Sequence, residues 1–263
     1  MLGRFPVSTP AEAISAEAIS AKASSSKASS PKASYPDAAP ADTAGPQPGA
    51  RLNKRTLRAS YRQLRQAMSA SAQRQHASDA ARAALVSGLL LGARCVALYL
   101  PADGELSPLP LAARLRQRDV RIVLPVVRST PLRGPHLQFR LWSRNTTLQL
   151  NRFGIPEPDA QATTVPPIAI DRLLVPLVAF DHTGTRLGMG GGYYDRLLGG
   201  LPDGLRPRVI GFAHALQAAA QPLPRSPWDA PLDAVVTERG WQRFRPDSMR
   251  SATGGPAAGL PAG

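Results

Sequence analysis

The run Arg186-Leu-Gly-Met-Gly-Gly-Gly-Tyr-Tyr-Asp195 places Gly188, Gly190, Gly191 and Gly192 between a candidate strand and a candidate helix. Such a run suits phosphate. Glycine has no Cβ, so backbone N–H groups can turn inward and a phosphate oxygen can come close. A helix starting at Tyr193 would add the partial positive charge of its first turn. Arg186 adds a full charge just before. The run has no Gly-Lys-Ser/Thr and lacks the spacing G-x-G-x-x-G, so it is neither a P-loop nor a dinucleotide fingerprint. The plainer alternative is a flexible connector.

Other residues could serve the same chemistry. Lys54, Arg58, Arg62 and Arg65 recur at helical spacing. Lys54 and Arg58 lie one turn apart and could reach one polyphosphate, or the stripe could be a solvated face. Acids are few. Asp195 closes the glycine run and Asp233 precedes an apolar stretch. Mg²⁺ beside a nucleotide takes one or two carboxylates, although each aspartate could equally be a helix-start or turn residue. Glu105 follows a candidate buried strand, where ligands of α/β sheets gather. It could accept a substrate N–H or be a solvated loop acid. Tyr193 and Tyr194 could stack on a flat ring, and neighbours on a helix diverge, so one of them is expected to face a site. Histidines 76, 136, 182 and 214 show no metal-ligand spacing, and with Cys95 as the single cysteine no zinc site is expected. No G-x-S-x-G elbow is present.

These residues need a frame. Leu57, Tyr61, Leu64 and Met68 mark an apolar stripe and predict a helix over 52–68, followed by a second over 72–91. Strands are expected at 94–100, 120–126, 137–142, 172–179, 209–212 and 234–237, with helices at 108–118 and 193–198. A turn is expected at Asp181-His-Thr-Gly184. Strands alternating with helices predict an α/β domain with a largely parallel sheet over 51–245. Residues 1–50 repeat Ala-Glu-Ala-Ile-Ser and Lys-Ala-Ser and hold few aromatics. They read as a disordered extension, and 246–263 as a disordered tail.

Composition limits the rest. The 263 residues carry a formal net charge of +14. Residues 1–50 are neutral, with four basic against four acidic side chains, so the excess lies beyond them and is mostly arginine. Arginine favours phosphates, acidic substrates or nucleic acid. Basic-aromatic interleaving, a recognition helix and a zinc finger are all missing, so nucleic acid is not the expected partner. No apolar run is long enough to cross a membrane. No basic region leads into an apolar core at the start, and acids interrupt the first segment, so a cytoplasmic location is expected; a monomer is expected as well, although no feature of the sequence fixes the oligomeric state.

Taken together, Lys54-Arg-Thr-Leu-Arg58, Asp103-Gly-Glu105, Asn151-Arg-Phe-Gly-Ile-Pro-Glu-Pro158, the glycine run and Trp228-Asp-Ala-Pro-Leu-Asp233 resemble the 5-formyltetrahydrofolate cyclo-ligase (methenyltetrahydrofolate synthetase) family. The resemblance spans about 51–240. It implies a three-layer α/β sandwich like ribose-5-phosphate isomerase and CoA transferases. It implies ATP held by Lys54, Arg55, Thr56, Leu57 and Arg58 and by Arg186, Leu187, Gly188, Met189, Gly190, Gly191, Gly192, Tyr193 and Tyr194. Mg²⁺ would be held by Asp195 and Asp233. Leu100, Glu105 and Tyr194 would contact the folate, and Arg186 and Tyr194 the reacting atoms. The implied reaction converts 5-formyltetrahydrofolate and ATP to 5,10-methenyltetrahydrofolate, ADP and phosphate. Met189 and Gly191 stand where some members carry arginine and lysine, so backbone N–H groups, Arg186, Lys54 and Arg58 must supply the charge. A sugar-phosphate isomerase of similar fold would need neither ATP nor Mg²⁺.

Overall fold

The computed structural model describes residues 53–131, 134–202 and 204–244. The disordered segments expected at 1–50 and 246–263 lie outside the described residues.

The chain opens with α1 (Lys54–Gln66), whose N-cap Asn53 accepts from Arg55 N, and α2 (Ala70–Val86), capped by Ser69 on Ala72 N. Strand β1 (Cys95–Ala97) leads to α3 (Leu109–Arg116), then β2 (Arg121–Thr130) and β3 (Gly134–Leu141). Short strands β4 (Leu148–Leu150), β5 (Pro156–Pro158) and β6 (Thr164–Val165) follow, then β7 (Arg172–Val175), β8 (Ala179–Phe180) and β9 (Arg186–Leu187). The last elements are α4 (Tyr193–Gly199), β10 (Arg208–Phe212), β11 (Ala234–Thr237) and β12 (Gly240–Arg243).

Among the described residues the main sheet runs β12-β11-β10-β7-β1-β2-β3-β6. Its centre, β11 to β2, is parallel, while β12, β3 and β6 pair antiparallel at the margins. Alternation along each strand splits the core in two. Val96, Ile122, Leu124, Leu174, Ile210, Phe212 and Val236 face one side, under the α2 alanines 77, 80, 81 and 84 and Leu111 and Leu115 of α3. Ala97, Val123, Leu173, Val175, Val209 and Val235 face the other, with Leu198 of α4. An α/β architecture with apolar layers on both faces of a mostly parallel sheet is therefore present.

The structure corrects two expectations. The strand expected at 172–179 breaks at Pro176, which has no N–H to continue a ladder. Ala179 begins a separate hairpin in which Ala179 pairs with Leu187 and Phe180 with Arg186. The expected stripe of α1 is also only half right. Leu57 packs near Ala179, Leu187 and Leu223, but Leu64 is 52% exposed and Arg65 is 0% exposed. The helix docks through the seam between its apolar and basic stripes.

Candidate active site

The hairpin β8–β9 aims the glycine loop. Asp181, buried in its turn, accepts from Thr183 N (2.8 Å) and Thr185 N (3.1 Å) through Oδ1, and from Leu223 N (2.8 Å) through Oδ2. At Gly184 (φ +85°) an added Cβ would lie 2.8 Å from the Phe244 ring and 3.0 Å from Leu232 O, so only glycine fits. Arg186 and Leu187 then carry the chain into the loop. Gly190 takes φ +100°, a conformation that a side chain would strain. Arg58 Nε donates to Gly188 O at 2.8 Å, and an Arg196 guanidinium N–H donates to Gly191 O at 2.7 Å.

Two ion pairs lie against the loop. The buried Arg186 donates to Asp195 Oδ1 at 2.6 Å and to the Ala230 carbonyl. Burial lowers its pKa, and Asp195 opposes that effect. Lys54 Nζ reaches Asp229 Oδ2 at 2.9 Å and Ser226 Oγ at 3.1 Å. Although partial burial acts the other way, the Ser226 N–H and Lys54 hold the Asp229 carboxyl below its ordinary value. Asp195 uses Oδ1 and Asp229 uses Oδ2, so among the described residues the other oxygen of each accepts no hydrogen bond. The loop, both pairs, Arg206 and the 74% exposed Trp228 enclose a cavity of about 1000 Å³.

Its inner wall is set by α1. Arg65 donates through Nε to Asp103 O (2.8 Å), through one terminal nitrogen to Asp103 Oδ2 (2.7 Å) and through the other to Leu177 O (3.3 Å). Arg62 Nε also reaches Asp103 Oδ2, at 2.7 Å. Despite partial burial, these guanidinium bonds lower the Asp103 pKa to about 2. Asp103 adopts φ +53° and Gly104 φ +73°, and the resulting turn delivers Glu105 to the cavity. Burial raises the Glu105 pKa to about 7, opposed by Arg65, whose nearest nitrogen is 4.0 Å away. Tyr194 lines the same wall, its pKa raised by burial and then by Glu105.

The structure thus brings together Lys54, Arg58, Glu105, Arg186, Leu187, all four loop glycines, Met189, Tyr193, Tyr194 and Asp195. Both tyrosines line the cavity, where one was expected. Tyr193 also stands edge-on to Phe153, with ring centroids 6.4 Å apart. Other expected residues are elsewhere. Arg55 and Thr56 are exposed outside the cavity, because only every third or fourth residue of α1 faces it. Leu57 and Leu100 are packing residues. Asp233 is not at the cavity either. Its carboxylate accepts from Val209 N (2.7 Å) at the amino end of β10. The acid missed in the sequence is Asp229. It belongs to the same Trp228–Asp233 motif, four residues earlier, where the connection from β10 to β11 still passes the loop.

Residues 50–238 match the profile of the 5-formyltetrahydrofolate cyclo-ligase family. The chain is 38% identical over 177 residues to the 5-formyltetrahydrofolate cyclo-ligase of Escherichia coli (strain K12), which covers 67% of this chain and 95% of that one. It is 35% identical over 185 residues to the Haemophilus influenzae enzyme of the same name, covering 70% and 96%. Among solved structures, 5,10-methenyltetrahydrofolate synthetase from Aquifex aeolicus matches with a TM-score of 0.60 at 32% identity, over 73% of this chain and 93% of that one. The synthetase from Mycoplasma pneumoniae matches with a TM-score of 0.55 at 27% identity, over 71% and 99%.

Proposed function

The chain belongs to the 5-formyltetrahydrofolate cyclo-ligase family, and from that premise we propose that it cyclises 5-formyltetrahydrofolate to 5,10-methenyltetrahydrofolate, converting ATP to ADP and phosphate. The observation that carries the reading is one cavity with a glycine loop, a cluster of cations and two aspartates on one side and Glu105 with Tyr194 on the other. A formyl oxygen on nitrogen is a poor leaving group. Transfer of the γ-phosphoryl group to it, with ADP leaving, makes a good one. N10 then attacks the activated carbon and loses its proton, the ring closes, and phosphate departs.

Such chemistry asks a protein for alignment and charge rather than for a nucleophile. Loop N–H groups, Lys54 and Arg58 would hold the phosphates. Asp195 and Asp229 would hold Mg²⁺, which when bound neutralises phosphate charge. The fit rests on two carboxylates, each with an oxygen that accepts no hydrogen bond among the described residues. Asp195 and Asp229 replace the Asp195 and Asp233 pair inferred from sequence. Glu105, as carboxylate, would accept a folate N–H, and Tyr194 would contact the formyl side. The wall that bears them is half-buried, which would limit the water that competes with the ring closure.

The full-length protein with Mg²⁺, ATP and 5-formyltetrahydrofolate is expected to produce the methenyl absorbance and to need ATP for it. Folded protein without that signal would remove the proposal. Glu105 makes a sharper expectation. Because its carboxyl titrates at about 7 rather than 4.5, kcat/KM for the folate should rise through pH 7 and then level off. Glu105→Gln should flatten that limb and lower kcat/KM by about 10- to 100-fold. The folded state holds this proton more tightly than the unfolded chain does, so the wild type should lose stability from pH 4.5 to about 7. A wild-type profile flat across pH 7 would take Glu105 out of this role.

A further inference from the structure

We propose that His76, His214 and Glu238 form a zinc site that fastens α2 to the carboxyl ends of β10 and β11, outside the nucleotide cavity. The fold explains their meeting. Phe212 of β10 pairs with Val236 of β11, so two residues later His214 and Glu238 leave the sheet side by side. His76 comes from α2, which packs along β11. A sequence separation of 138 hides the two histidines from any reading of local spacing.

Three ligand atoms converge there. His76 Nδ1 lies 3.1 Å from His214 Nδ1 and 3.6 Å from Glu238 Oε1, and all three atoms fall within 4.8 Å of one another. Zinc–ligand bonds of about 2.0–2.1 Å at a tetrahedral angle would set neighbouring ligand atoms about 3.3 Å apart. Two imidazoles and a carboxylate are a donor set zinc accepts readily.

Hydrogen bonding alone serves the cluster poorly. His76 Nδ1 offers either one hydrogen or one lone pair, yet it faces two groups. His214 is fully buried and its Nε2 makes no hydrogen bond of good geometry, so its desolvation is only partly repaid, by an interaction with the Gly104 backbone. A metal bond at Nδ1 would offset the loss. Glu238 is already oriented, since its Oε2 accepts from Ala215 N at 2.9 Å and turns Oε1 toward His76. His76 is 27% exposed, which leaves room for water as a fourth ligand.

The test uses full-length protein stripped with chelator and dialysed against Zn²⁺ in excess Mg²⁺. Wild type should bind one Zn²⁺ per chain and melt at a higher temperature with it. His76→Ala and Glu238→Gln should each lose at least about 100-fold in zinc affinity and lose the thermal gain. Asp229→Asn should bind zinc as wild type does. No zinc uptake, uptake undiminished in the first two variants, or loss in Asp229→Asn would each overturn the site. Should a variant fail to fold, Co²⁺-loaded wild type decides the matter: tetrahedral visible bands support the site, and an octahedral spectrum overturns it.

Discussion

Asp229→Asn is expected to weaken the Mg²⁺ dependence of turnover by about 100-fold or more, while Asp233→Asn leaves it near wild type. The two residues share a motif but not a place. Asp229 lines the cavity with Lys54 on Oδ2, and Asp233 accepts from Val209 N at the far end of β10. Asparagine at 233 can still accept that N–H, so the fold should survive. Asparagine at 229 removes charge where a cation would sit and releases Lys54 from its partner. Initial rates over a Mg²⁺ series at saturating ATP separate the two. Part of the Asp229→Asn deficit should return at high Mg²⁺. If Asp233→Asn instead shifts the Mg²⁺ dependence, the assignment drawn from the cavity is wrong.

Arg65→Met should destabilise the protein by about 2–3 kcal/mol, because it leaves Asp103 O without a donor and takes one partner from Asp103 Oδ2 and from Leu177 O, which keep only Arg62 and Gln217. For a domain of this size that corresponds to a fall in Tm on the order of 10 °C. Arg65 has no exposed surface and ties Asp103 O, Asp103 Oδ2 and Leu177 O in one planar fork. Arg65→Lys should rescue little, since an ammonium cannot reproduce that fork. The loss should also raise KM for the folate, because the turn that presents Glu105 is held from beneath by this side chain. Thermal melts with steady-state kinetics check both parts. A shift below about 2 °C with normal KM would refute them.

Sequence reading succeeded where the signal was local. Glycine runs, helix starts and apolar strands depend on near neighbours, so the loop, α4 and the parallel strands were legible at nearly their observed positions. It failed where a long-range partner decides. Arginine in a helix reads as surface, and nothing near Arg65 announces that Asp103, 38 residues away, will pair with it. Leu64 reads as core for the same reason and is exposed. The two-residue strands of the β8–β9 hairpin have too little pattern to detect. Asp229 and Asp233 differ only in how far the chain has travelled along the sheet, and composition does not record that.

Helix α1 has a consequence for how two reactants meet. Lys54 in its first turn reaches the acid beside the glycine loop, and Arg65 in its last turn holds the segment that carries Glu105. Eleven residues of helix span about 16 Å. The interval between the glycine-loop half and the Glu105 half of the cavity is therefore kept by a rigid rod with a fixed rise. Loops on either side can vary in sequence without altering that interval, whereas a residue inserted into or deleted from α1 would rotate one anchor by about 100° relative to the other and put the two halves out of step.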